Sequence, residues 1–230
     1  MPARNEERLI GACLESIRVA ARPYPGQVET IVVLNRCDDR TDEIARSLGA
    51  RVVTADGKNL SVVRNAGARA ASGDYLITID ADSVMAPNTL AEVERHLESG
   101  RYVGGGVMIH PERMSPGIAA TGVLLVWLMV RYRVSAGLFW LRRADFETLG
   151  GFDETLVSVE DLDLATRLKA LGRARGQRFG TLWRAPITTS CRKFDHFGDW
   201  FIFRNTWLWR AILGGRDEQA ANLYFYDFPR

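Results

Sequence analysis

The chain has 230 residues, 47% hydrophobic and 25% charged, with a formal net charge of +2. That suits one large globular domain with a substantial core. A near-neutral chain without a basic cluster of motif length argues against nucleic acid as its partner.

Helix and strand signals alternate through the first hundred residues. Glu6 to Ala21 carries Leu9, Ile10, Cys13, Leu14 and Ile17 on one helical face, and Val28 to Leu34 reads as a strand. Thr41 to Leu48 is a short helix, with Asp42 and Glu43 in its first turn and Gly49 past its end. Arg51 to Thr54 is a short strand. Leu60 to Ala71 is a helix whose Ala66, Gly67, Ala68, Ala70 and Ala71 let it sit close to a sheet. The apolar strand Tyr75 to Asp80 follows, then a helix opened by Pro87 and ending near Gly100. This order predicts an α/β fold, Rossmann-like, with a mainly parallel sheet and helices on both faces.

Beyond Gly100 the pattern is mixed. A strand from Arg101 to Ile109 is interrupted by glycines, which often mark close approach of a ligand. The apolar segment Gly117 to Val130 precedes Gly137 to Arg142 and a helix from Ala144 to Leu149. The turn Gly150-Gly151-Phe152-Asp153 leads to a helix near Glu160 to Leu171. No repeat, low-complexity tract or Pro/Gly-rich linker divides the chain.

Two acidic motifs carry the chemistry. In Tyr75-Leu-Ile-Thr-Ile-Asp80-Ala81-Asp82-Ser83 an apolar strand ends in two carboxylates. Ligands of open α/β sheets gather at such strand ends, and two rigid oxygen donors suit a hard divalent cation that clamps phosphates. A strand running into a polar Asp turn is the plainer alternative. The second motif, Val159-Glu160-Asp161-Leu162-Asp163, starts a helix, where the helix dipole also favours acids.

Four stretches in order resemble family-2 glycosyltransferases of the GT-A fold. They are Pro2-Ala3-Arg4-Asn5-Glu6-Glu7; Val32 to Thr41; Gly57-Lys58 through Arg64-Asn65-Ala66-Gly67 to Asp80-Ala81-Asp82; and Arg142-Arg143 through Gly150-Gly151-Phe152-Asp153-Glu154 to Glu160-Asp161. The resemblance implies one domain over 1–230. Its nucleotide-sugar-binding half spans about 1–100, an acceptor and catalytic half with mixed structure about 101–190, and an aromatic helical segment about 191–230. It implies a nucleotide-diphospho-sugar donor and transfer of a single sugar to an acceptor hydroxyl, with inversion. Asp82, assisted by Asp80, would hold Mg2+ or Mn2+ against the diphosphate. Asp161 would be the general base, with Glu160 orienting the acceptor or capping the helix. Pro2, Ala3, Arg4, Glu6, Asn35, Lys58 and Ala81 match donor-contacting positions. Arg192, in the basic loop Cys191-Arg192-Lys193, would neutralise diphosphate, and His196 would be a further metal ligand. His96 reads as solvent-facing, and His110 ends a strand. The acceptor stays open between a small molecule, a lipid carrier and a glycan.

The chain departs from the family in three places. Leu34-Asn35 replaces an acidic pair of the second loop. The Gln-x-x-Arg-Trp element of processive members is absent, which favours a single transfer. Only Met1 stands where the family has an apolar strand. A haloacid-dehalogenase-like phosphatase, with Asp80 as nucleophile, and a non-catalytic glycosyltransferase-like binding protein are the alternatives.

Cys13, Cys37 and Cys191 are odd in number and widely spaced, and residues 1–7 do not read as a signal peptide. Both points indicate a cytoplasmic protein. Gly117 to Val130 and Trp200 to Leu213 raise the question of peripheral contact with the inner face of the membrane. The alternative for both is burial against the domain or lining of an acceptor cleft, and no spanning helix is expected.

Overall fold

The computed structural model describes residues 1–205, 211, 214–217 and 219. Strands β1 (Pro2–Ala3), β2 (Ile31–Leu34) and β3 (Arg51–Thr54) form a parallel sheet in that order. All four residues of β2 are buried, as a strand covered on both faces requires. Helix α1 (Ile10–Ala21) joins β1 to β2 and buries Ile10, Cys13, Leu14 and Ile17, the face its spacing predicts. Helix α2 (Thr41–Ser47) joins β2 to β3. Helix α3 (Leu60–Ala70) is capped by Asn59, whose side chain accepts from the Ser61 and Val62 amides. Its small residues do let it approach the sheet: a Cβ on Gly67 would lie 2.9 Å from Val33 Cγ2.

A five-stranded mixed sheet follows. Its strands are β4 (Tyr75–Ile79), β5 (Ser83–Met85), β6 (Tyr102–Pro111), β7 (Leu138–Arg142) and β8 (Arg178–Thr189), in the order β4-β7-β6-β8-β5. Its helices are α4 (Thr89–Glu98), α5 (Pro116–Tyr132), α6 (Arg143–Thr148), α7 (Glu160–Ala174), α8 (Arg192–Phe197) and α9 (Phe201–Arg204).

Three expectations need correcting. The strand ending in Asp80 belongs to the mixed sheet, paired antiparallel with β7 from Tyr75↔Arg142 to Ile79↔Leu138. An apolar run does not specify its partner; the later return of Leu138 to Arg142 does. The glycines of β6 make room for protein rather than ligand. A Cβ on Gly105 would fall 2.0 Å from the Gly180 carbonyl, and one on Gly106 would strike Ser135. Trp140 Nε1 donates to the Gly106 carbonyl at 2.9 Å. His96 is not solvent-facing, because its ring packs on Tyr102 and Trp140 with centroids 4.9 and 5.6 Å away.

Helix α5 is capped by Ser115, which accepts from the Ile118 amide, and has Pro116 in its first turn. Only Gly117, Ile118 and Thr121 of it are buried. Among the described residues no helix is long and apolar enough to cross a membrane. Of the aromatic segment after Trp200, positions 206–210, 212 and 213 lie outside the described residues.

Candidate active site

The carboxyl ends of β1, β2 and β4 and the start of α7 open onto one cleft of about 740 Å³. The loops after β1 and β2 are tied together. Asn5 Oδ1 accepts from the Asp38 amide at 3.0 Å, and the Glu6 amide donates to Thr41 Oγ1 at 2.8 Å. Asn5 and Arg36 hold these turns in the left-handed region, with φ of 50° and 52°. Asn35 is buried, and its amide nitrogen donates to the carbonyls of Ala55 (2.6 Å) and Gly57 (2.8 Å). Asn35 therefore braces the cleft floor with its donor group.

The loop after β4 is pinned at both ends. The Ser83 amide donates to the Asp80 carbonyl at 3.1 Å, and the Ser190 amide to the Asp82 carbonyl at 3.0 Å. Asp80 and Asp82 thus reach the same cleft from a rigid strand end. Both supply hard oxygen donors, which suits Mg2+ or Mn2+: such ions keep water and phosphate ligands and need only one or two protein carboxylates. Among the described residues no group of three or more His, Cys, Asp or Glu side chains gathers as a closed cage.

Two arginines organise the carboxylates. Arg64, in the second turn of α3, donates from Nη2 to Asp80 Oδ1 at 3.0 Å. Its Nη1 donates to Glu160 Oε1 at 2.5 Å and to Asp161 Oδ1 at 2.7 Å. One guanidinium therefore spans both acidic motifs. Burial pulls the Arg64 pKa down, but Asp161, Asp80 and Glu160 outweigh it and raise the value. Arg192, the first residue of α8, donates to both Glu6 oxygens at 2.7 and 2.6 Å and to Asp82 Oδ2 at 2.9 Å.

The next residue of α3 secures the second motif. Asn65 Nδ2 donates to the Phe152 carbonyl and its Oδ1 accepts from the Phe152 amide, both at 2.9 Å. This clamps the Gly-Gly-Phe-Asp turn before α7. Val159 then enters α7 with φ 55°, an outlier for a β-branched residue and a locus of backbone strain. The strain fixes where Glu160 and Asp161 leave the backbone. The Glu160 side chain is 10% exposed and that of Asp161 28%, so Asp161 is the more open of the two. Burial pushes the Asp161 carboxyl well above its ordinary range; Arg64 opposes this, and Glu160 and Asp80 add to it.

Pro2, Ala3, Arg4, Glu6, Asn35, Asp80, Ala81, Asp82, Glu160, Asp161 and Arg192 all line the cleft. Lys58 and His196 do not. Lys58 is exposed on the loop before α3, and His196 is exposed on α8 against the Phe197 ring. Arg64 and Asn65 received no role from the sequence, although a charged and an amide side chain inside a helix of small residues is a signal. A second depression of about 570 Å³ lies beside Gly150–Glu154. It contains none of the four motif carboxylates Asp80, Asp82, Glu160 and Asp161, and Arg143 and Arg167 on its wall pair with Glu147 and Asp163.

The family model for glycosyl transferase family 2 matches residues 1–145. The low-salt glycan biosynthesis hexosyltransferase Agl6 of Haloferax volcanii is 33% identical over 100 residues, covering 44% of this chain and 24% of that protein. The dolichyl-phosphate hexose transferase of the same organism is 37% identical over 82 residues, covering 36% and 34% respectively. The chain thus matches only 24% and 34% of the length of these curated relatives. Among solved structures, the mannosyltransferase PcManGT from Pyrobaculum calidifontis, in complex with GDP-Man and Mn2+, superposes with a TM-score of 0.67 at 21% identity, covering 95% of this chain and 62% of that one. TarS of S. aureus superposes with a TM-score of 0.64 at 16% identity, covering 99% and 41%.

Proposed function

The chain belongs to glycosyl transferase family 2 and has the GT-A fold, and from that premise we propose that it transfers a single sugar from a nucleotide-diphospho-sugar to an acceptor hydroxyl with inversion. The observation that carries this reading is the bridge made by Arg64, which ties the strand-end Asp80 to the helix-start Asp161 through one guanidinium.

The donor lies along the loops of residues 2–6 and 35–36, with its diphosphate toward Asp80, Asp82 and Arg192. Asp80 and Asp82 would hold Mg2+ or Mn2+, which when bound supplies positive charge to the departing diphosphate. PcManGT, solved with GDP-Man and Mn2+, supports that pairing of donor and ion. Arg192 exchanges Asp82 for a diphosphate oxygen, and Lys193 stands beside it on the cleft wall. Asp161 takes the proton of the acceptor hydroxyl as the new bond to the anomeric carbon forms and the bond to the diphosphate breaks. A carboxylate with a raised pKa is a stronger base for that proton. Glu160 stays with Arg64 and holds the start of α7. Leu125, Leu128, Met129 and Tyr132 of α5 form the acceptor side of the cleft. Three free cysteines support a reducing, cytoplasmic setting.

The phosphatase alternative falls with the family assignment. The non-catalytic alternative is tested by offering the purified protein a panel of sugar nucleotides with Mn2+. Slow hydrolysis of one of them, abolished by EDTA, is expected; no binding and no hydrolysis across the panel would overturn the proposal.

A further inference from the structure

A helix on the surface of a globular domain normally turns its apolar stripe inward. Helix α5 does so only in its first turns. From Gly122 to Tyr132 no residue is buried, and Val123, Trp127 and Val130 are 72%, 60% and 62% exposed. The other edge of this stretch, Leu125, Leu128, Met129 and Tyr132, lines the cleft. One helix is thus both cleft wall and bare apolar face, and an apolar face of this size marks an interaction site.

The patch continues past the start of α5. Gly117 is pressed against the Asp199 backbone, where a Cβ would fall 2.6 Å from the carbonyl oxygen. Arg113 holds Asp199 at 2.8 Å. This sets the exposed Trp200 and Phe203, with rings 5.8 Å apart, beside the start of α5. The other end of the helix is basic. Arg131 and Arg133 follow the apolar face, α5 holds no acidic residue, and Lys169 Nζ donates to the Tyr132 carbonyl. Partial burial and the charges of Arg173 and Arg133 lower the Lys169 pKa.

Aromatic residues, an apolar helix face and a basic end are the chemistry of a helix that lies in the plane of a membrane surface. With 17 residues, α5 is too short to cross one. We propose that α5, with Trp200 and Phe203, docks on a membrane surface bearing anionic lipid. Docking brings the Leu128–Tyr132 wall of the cleft to the level of the head groups. If the sugar-transfer reading holds, the acceptor then presents its hydroxyl from that surface.

Flotation of the purified chain with vesicles tests this. The probes are vesicles of phosphatidylcholine alone and of an equal mixture with phosphatidylglycerol. The wild type should float with the mixture and less with phosphatidylcholine. The double variant Trp127→Glu, Val130→Glu should lose about tenfold or more of the floated protein, as expected when two buried apolar side chains are removed from lipid. The double variant Arg131→Glu, Arg133→Glu should lose only the preference for the anionic mixture. Wild type that stays in the soluble fraction with both vesicles would overturn the docking face. So would a self-associating wild type that Trp127→Glu, Val130→Glu converts to monomer by light scattering, since the face would then be covered by a second copy. Flotation is read without donor. A chain that floats but acts on no sugar nucleotide would therefore refute the transfer reading and leave the docking face standing.

Discussion

Arg64 and Arg192 hold carboxylates of the same cleft on different terms. Arg64 projects from the middle of the buried side of α3, is 6% exposed, and gathers three carboxylates. Arg192 opens a six-residue helix, is 21% exposed, and divides its guanidinium between Glu6 and Asp82. Arg64 cannot withdraw without leaving Glu160 buried and unpaired. Arg192 can give up one partner and keep the other. The cleft thus has a fixed side, which holds Asp161, and an adjustable side, which holds Asp82; in the proposed reaction these sides would hold the base and meet the leaving group.

Removing the fixed arginine should have the largest effect. Arg64→Met is expected to lower unfolding free energy by roughly 3–5 kcal/mol, the range for stripping one partner from a buried charge cluster. Arg192→Met also strips a buried partner, Glu6, but loses two carboxylate contacts rather than three, so it should cost less and in addition weaken donor binding. Urea unfolding of the two variants checks this, and equal losses would break the distinction.

On the fixed side, Asp161→Asn should keep donor affinity and lose about 10²–10⁴-fold in turnover, the range for a general base. Near-normal transfer by this variant would remove Asp161 from the mechanism. The pH dependence sharpens the assignment. The base works only when deprotonated, and burial raises its pKa. The acidic limb of kcat/KM against pH should therefore lie above the ordinary carboxylate range. The same shift opposes folding, since the folded chain binds this proton more tightly than the unfolded one. That penalty is fully present above the folded pKa and disappears as pH falls to the ordinary carboxylate value. Asp161→Asn should accordingly raise the urea midpoint at neutral pH, with the gain fading on acidification. A gain that does not change with pH would contradict the account.

The smallest effect belongs to a residue outside both clusters. His196→Ala should leave Mn2+ affinity within about twofold, as expected of an exposed side chain worth under about 0.5 kcal/mol. A large loss, read by metal titration in the presence of donor, would return His196 to the metal site.

What the sequence made legible is local. The face of α1, the buried run of β2 and the carboxylates of Asp80 and Asp82 each follow from a few neighbouring residues. Strand β8 was not legible, because Gly180 and Pro186 interrupt its pattern. The role of Arg64 was not either, since its partners lie 16, 96 and 97 residues away. His196 differs again: its residue type suits a ligand, and it stands exposed on α8 outside the cleft lining.

The central claim is that the adjustable side of the cleft receives a metal-borne diphosphate. Calorimetric titration of the wild type and of Asp82→Asn with a sugar nucleotide, each with and without Mn2+, tests it most directly. The account predicts Mn2+-dependent binding to the wild type and its loss in Asp82→Asn. Equal affinity in the two proteins with Mn2+ present would contradict it.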